Sequence, residues 1–166
     1  TSGPSDDQED LRETIAFARL MEESGMHYIN VSAGGTLVAP LKEQPETVFH
    51  HFSMTERIKK SVSFPVIGSA YTVLVDGNNK LEGKDPQKKS LQYWAERNIK
   101  EGRVDMVGVG RQSFADPLFA KKLLSGFTDI HYCALCNSCF KLIFQQKESG
   151  CAVYDEYYRA ILKETS

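Results

Sequence analysis

The feature that most constrains this chain is an alternation. A helical pattern, a short apolar run and a glycine-bearing tip follow one another three times, with the apolar runs beginning near residues 27, 64 and 105. In the first unit Leu11, Ile15, Ala18 and Met21 recur at helical spacing, with Phe17 and Leu20 expected to widen the apolar face. Ser5-Asp6-Asp7-Gln8 has the spacing of a capping box ahead of that helix, and Gly25 stands where a C-cap glycine belongs. Residues 27–32 then read as a strand that ends in Ala33-Gly34-Gly35. After a loop expected over 36–46, a helix over 48–61 should turn Val48, Phe52, Ile58 and Val62 inward. Phe64-Pro65-Val66-Ile67 is the second strand and breaks at Gly68-Ser69-Ala70. A loop is expected over 71–84, and Asp85-Pro86 should cap a third helix that buries Leu91, Trp94, Ala95 and Ile99 and stops at Gly102.

The third strand covers 103–109 and stops on Gly110-Arg111; Asp116-Pro117 then opens a helix over 118–124, closed by Gly126. Alternation of this kind means parallel strands joined by right-handed helical crossovers, an α/β fold. Ligands on such sheets sit at the carboxyl ends of the strands, where all three glycine tips fall. Gly110 lets the backbone approach a ligand, and Arg111 offers a planar fork of donors for phosphate or carboxylate. No sequence identity links the three units, so the repeat is architectural.

Composition closes other routes. Hydrophobic residues at 41% and charged residues at 25% describe a soluble globular chain, and a formal net charge of −2 gives no electrostatic reason to expect nucleic acid or an anionic membrane. No apolar run approaches the roughly 20 residues of a membrane helix, and the acidic, polar start is unlike a signal peptide, so the expected location is cytoplasmic. All four cysteines lie between positions 133 and 151, which argues against a disulfide framework spread over a secreted domain. Cys133, Cys136 and Cys139 have the spacing C-x2-C-x2-C, with Cys151 after eleven more residues. Three thiolates on one loop plus a remote fourth suit a [4Fe–4S] cluster, whose irons each take one sulfur. Zinc also accepts four thiolates, usually through two C-x2-C knuckles, of which the second is missing here. Iron–sulfur, zinc and a metal-free cysteine tail all remain open on spacing alone.

The order of these elements, with 27–35, 64–70, 104–111, Ala115-Asp116-Pro117 and the run Cys133-Ala134-Leu135-Cys136-Asn137-Ser138-Cys139, resembles a known family. It is similar to the C-terminal half of the flavin-dependent NAD(P)H oxidoreductases of the Old Yellow Enzyme class, nearest the branch of 2,4-dienoyl-CoA reductase and trimethylamine dehydrogenase. The resemblance implies the C-terminal half of a (β/α)8 TIM barrel that holds FMN. Residues 1–126 would supply about strands six to eight, and residues 127–166 a Cys-rich extension packing on the barrel. It implies that Gly68, Ser69 and Ala70, with Gly110 and Arg111, hold the FMN phosphate, as barrels often do with the loops after their last two strands. Ser32, Gly34 and Gly35 would lie near the flavin and the substrate mouth. Cys133, Cys136, Cys139 and Cys151 correspond to a cluster-binding tail that, in the related reductases, has one more residue between the second and third cysteines.

The same resemblance implies NAD(P)H and a small, enone-like substrate as partners of the complete enzyme. A whole barrel needs roughly 250 residues. On this reading the chain starts just after the fifth strand, and the flavin-ring contacts and the proton donor belong to the other half. No catalytic acid or hydride-positioning residue is therefore assigned. The chain alone is expected to be inactive and, with an open sheet edge, to self-associate or pair with the missing half. Two other functions fit the residues: a phosphate- or FMN-binding half barrel without chemistry, and a metal-stapled interaction module whose working part is the cysteine tail. His27 reads as a strand-end or core histidine, His50 and His51 as solvated, and His131 as surface polar. Trp94 reads as packing, Lys121-Lys122 as an ordinary charged face, and Tyr154, Tyr157 and Tyr158 as cover against the barrel wall.

Overall fold

The three apolar runs pair with one another as short parallel strands. In a computed structural model, which describes residues 4–32, 45–74 and 90–164, β1 (Ile29–Val31), β2 (Val66–Gly68) and β3 (Met106–Val107) form one sheet in the order β1-β2-β3. The register aligns Asn30 with Ile67 and Ile67 with Met106, so these three side chains share one face of the pleat. Val66 and Gly68 point to the other face and are buried. On that side lie α1 (Pro4–Glu23), α2 (Pro45–Lys59) and α3 (Leu91–Lys100). The α/β class with a parallel sheet is as the alternation predicts. Asp105 ties the second crossover down: its carboxylate accepts from Val66 N–H at 2.7 Å and pairs with Lys59 at 2.8 Å.

The expected apolar positions hold where one stripe of a helix meets the sheet. Leu11, Ala18 and Ile58 are buried together, with Ile15, Ile29, Val31 and Val62 packed around them. Phe17 and Leu20 are instead 55% and 54% exposed. At about 100° per residue, Phe17 is about a third of a turn off the Leu11–Ala18 stripe and Leu20 about half a turn, which places both outside it. Ile99 is likewise exposed, and its neighbour Asn98 is buried in its place. Helix α2 begins at Pro45 rather than 48, and His51 within it is buried, where the sequence suggests a solvated residue. Gly25 and Gly102 adopt φ of +85° and +68°, the left-handed conformation that closes a helix.

A second core forms where the sequence suggests a loop. Tyr71–Leu74 is a 3-10 turn whose Tyr71 ring is fully buried, 4.6 Å from the Phe52 ring between centroids. Asn98 Nδ2 donates to the Tyr71 hydroxyl at 2.8 Å, which satisfies the buried phenol. Ser90 caps α3, its hydroxyl accepting from Tyr93 N–H at 2.9 Å; the expected cap, Asp85-Pro86, lies outside the described residues. Beyond β3 the chain forms α4 (Gly110–Ala115), α5 (Phe119–Leu124), α6 (Ser138–Phe144) and α7 (Glu156–Glu164). Helix α4 thus starts on Gly110 itself, one helix earlier than Asp116-Pro117 suggests. Cys133 and Leu135 belong to the same buried cluster as Phe52, Tyr71, Leu91, Ala115 and Phe119. The cysteine segment is therefore built into the core behind the sheet. Tyr154 stacks on His131 and Tyr157 hydrogen-bonds Glu148, while Tyr154 and Tyr158 also line a cleft with Ser113, Phe114, Ala115 and Pro117.

Candidate functional site

Gly68 owes its identity to packing. A Cβ there would stand 2.7 Å from Val104 Cγ1, with Thr55 and Tyr71 close behind. Gly68→Ala is expected to destabilise the chain by about 1–3 kcal/mol through overpacking. Adding Val104→Ala should recover part of that loss, read as the shift in urea midpoint. Strictly additive effects of the two substitutions would show that the close approach has another cause. At the next position Ser69 Oγ donates to Asn30 Oδ1 at 2.8 Å, and Ala70 takes a left-handed φ of 75°. Gly108 N–H donates to Gly68 O at 2.8 Å, and a Cβ on Gly108 would press on Ile67 and Ser69 at 3.2 Å each. The structure thus brings Asn30, Gly68, Ser69 and Gly108 together at the carboxyl ends of the strands. Gly108 was not singled out by the sequence reading; its signal was its alternation with Met106 and Gly110.

Gly110 faces open space where a Cβ would be. Ser32 is exposed at the end of β1, and Gly34 and Gly35 lie outside the described residues. Arg111 turns toward the tail: its guanidinium carbon sits 4.9 Å from the Phe140 ring centroid. It lines one cleft together with Phe114, Cys133, Cys136, Cys139 and Cys151. All four cysteines line this cleft, and all four are free thiols.

Local backbone explains the convergence. Leu135 and Asn137 both adopt positive φ, 53° and 61°, an uncommon conformation for residues other than glycine. Each reverses the chain enough to bring the next cysteine back to the same side. Helix α6 then carries Cys139, and the return from α6 toward α7 delivers Cys151. Burial pushes the Cys133 thiol up to about 11, against the Leu135 N–H and the Arg111 charge, which favour the thiolate. Burial raises Cys139 as well, again opposed by Arg111. Among the described residues no three His, Cys, Asp or Glu side chains converge on a position for a single metal ion.

Two side chains of the α4 region hold this loop in place. Gln112 is fully buried; its Nε2 donates to His131 O and its Oε1 accepts from Cys133 N–H, both at 2.9 Å. Asp116 accepts from Leu118 N–H at 3.0 Å, His131 N–H at 3.1 Å and Lys122 Nζ at 2.9 Å. Burial alone would raise its carboxyl, but these donors outweigh it and hold the group below the usual carboxylate range. Neither role follows from the sequence pattern, which marks Asp116 as a helix cap and Lys122 as part of a charged face. The available signal was the i, i+4 spacing of Gln112 and Asp116, which puts two polar side chains on one side of a turn.

No family model matches the chain. Curated relatives do. A NADH oxidase of Thermoanaerobacter brockii is 36% identical over 86% of this chain and 20% of its own length. A metal reductase of Desulforamulus reducens is 30% identical over 87% of this chain and 20% of its own length. A bilirubin reductase of Mediterraneibacter gnavus is 29% identical over 88% of this chain and 21% of its own length. The chain's relatives are oxidoreductases. They fit the NAD(P)H oxidoreductase family that the sequence resembles, without selecting its 2,4-dienoyl-CoA reductase branch. The chain spans about a fifth of the length of these relatives. No helix among the described residues is long and apolar enough to cross a membrane.

Proposed function

We propose that this chain is the FMN-phosphate-holding and cluster-holding portion of an NAD(P)H-dependent flavin oxidoreductase. Its strands would form about the sixth to eighth of a TIM barrel, with residues 127–166 as the Cys-rich extension. The reaction class is hydride transfer from NAD(P)H, through the flavin, to a small enone-like substrate. The observation that carries this reading is the convergence of all four cysteines on one cleft beside the Gly110-Arg111 tip. Zinc in a thiolate site draws its ligands in to about 2.3 Å, whereas a [4Fe–4S] cluster spreads four sulfurs around a larger body. All four thiols line that one cleft, which the cluster reading requires.

At the strand ends, the Asn30–Ser69 pair and the open space beside Gly110 fit the phosphate-bearing tail of FMN. Gly68, Ser69, Ala70 and Gly110 would form that grip, with Gly34 and Gly35 nearer the substrate mouth and Arg111 at the border with the cysteine cleft. When bound, FMN supplies hydride and single-electron chemistry and an iron–sulfur cluster supplies single-electron transfer; the protein supplies binding, orientation and electrostatics. Here Gln112 and Asp116 keep the cysteine loop against α4, and Cys133 and Cys139 are shielded from water. Pairing with the rest of a barrel would cover the exposed face of Asn30, Ile67 and Met106.

Anaerobic reconstitution of the chain with ferrous iron and sulfide tests the reading. The expected product has a broad absorption shoulder near about 400 nm and loses it in Cys139→Ser. FMN should also bind more tightly than riboflavin, which lacks the phosphate. Zinc binding with no iron–sulfur product would overturn the cluster, and equal affinity for FMN and riboflavin would overturn the phosphate grip.

A further inference from the structure

A second cleft, of about 350 Å³, opens beside the cysteine cleft and shares Phe114 and Cys151 with it. Its size falls in the range of small-molecule sites, and none of the residues at the glycine tips lines it. Two tyrosines give it aromatic walls in fixed positions. Tyr154 stacks on His131, the rings 6° from parallel with 4.5 Å between centroids, and its hydroxyl donates to Tyr132 O at 2.9 Å. Tyr158 lies against Gly150, where any Cβ would collide with the ring, so glycine is what lets the ring take this place.

The polar lining offers acceptors. Ser113 Oγ donates to Val109 O and Ser149 Oγ to Cys139 O. With Tyr154, three of the four hydroxyls that line the cleft thus direct their protons to backbone carbonyls. Their oxygens keep lone pairs for a donor. Asp155 adds a carboxylate, whose Oδ1 accepts from Tyr157 N–H at 2.9 Å. No ion pair among the described residues includes Asp155. Among those residues no lysine or arginine lines the cleft, and Arg159 of α7 donates instead to Ala152 O and Val153 O. Acceptors, a carboxylate and aromatic rings, with no lysine or arginine among them, suit a positively charged donor and disfavour an anion.

We propose that this cleft binds a small arylalkylamine in its protonated, primary ammonium form. Asp155 meets the charge, the hydroxyl oxygens of the lining accept N–H groups, and Phe114, Tyr154 and Tyr158 pack on the apolar body. The site stands apart from the flavin and cluster readings and does not rest on either.

The test is a chemical-shift titration of the isotope-labelled chain with benzylamine, which is protonated at neutral pH. Benzyl alcohol and benzoate serve as its neutral and anionic counterparts. Saturable shifts are expected at the amides of Gly150, Cys151 and Asp155, with benzylamine bound about tenfold more tightly than benzyl alcohol and benzoate not bound. Asp155→Asn keeps a residue that can cap α7, and it should bring benzylamine within about twofold of benzyl alcohol. Tyr158→Leu should weaken both ligands. Bound benzylamine should also slow alkylation of Cys151 by iodoacetamide and leave Cys136, which does not line this cleft, unchanged. Equal affinity for benzylamine and benzyl alcohol overturns the proposal, as does an undiminished preference for the amine in Asp155→Asn. Saturable benzoate binding sinks it too, and so do shifts and protection centred on Cys136.

Discussion

Gln112→Leu is expected to destabilise the chain by about 3 kcal/mol. Leucine nearly matches glutamine in volume, so the loss is polar. Cys133 N–H, buried, and His131 O, part-buried, would each lose the partner now 2.9 Å away. An orphaned buried donor or acceptor costs about 1–3 kcal/mol, so two of them set the scale. Fitting urea unfolding curves for the wild type and the variant measures it directly, with the midpoint falling at a nearly constant slope. A second consequence follows from where the bond ends. Cys133 N–H is the atom that Gln112 holds, so the variant should also release reconstituted iron faster at concentrations of denaturant far below the unfolding midpoint. A loss under about 0.5 kcal/mol would mean that water replaces both partners and that the brace is not what fixes the loop.

That prediction depends on contacts no single stretch of sequence displays. The parallel sheet was legible because Ile29, Val66 and Val107 sit in runs bounded by glycine, and local pattern is enough to mark them. Leu11, Ala18, Phe52, Ile58 and Leu91 were legible as core for the same reason: one helix, one stripe. Tyr71 was not, because its burial is decided by Asn98, 27 residues on, and by Phe52 on α2. His51 falls in the same class: the helix expected over 48–61 contains it, but its burial depends on what α2 packs against.

The site divides along similar lines. Cys133, Cys136 and Cys139 were placed together by spacing, but the arrival of Cys151 requires the whole excursion through α6 and back. For Arg111 the chemistry was legible and the direction was not. The fork of donors suits an anion, and its turn toward Phe140 and the cysteines depends on where residues 133–151 fold. Gly68 is the converse case: its position suggests a ligand, and Val104 supplies a sufficient packing reason for the glycine.

The acid limb of the stability curve should report Asp116. Its folded carboxyl is held below the ordinary value: burial works to raise it, and the donors Lys122, His131 N–H and Leu118 N–H more than compensate. A carboxylate whose folded pKa lies below the unfolded value of about 3.9 adds stability above that value, and the contribution is lost as pH falls through the lower folded pKa. Asp116→Asn keeps the size and removes the charge, leaving Lys122 with Asp129. The gap between wild type and variant is expected to be about 2 kcal/mol at neutral pH, within the range for charge-assisted hydrogen bonds. It should stay flat down to about pH 5 and close toward pH 2 as Asp116 protonates. Asp105 is lowered in the same way, burial being offset by Lys59 and Val66 N–H, so the wild-type curve alone would mix the two groups. Subtracting the Asp116→Asn curve isolates one of them. Denaturant titrations at pH 7, 5, 4 and 3 measure the gap. A gap as wide at pH 3 as at pH 7 would mean that the side chain holds His131 and Leu118 through its shape and not through its charge.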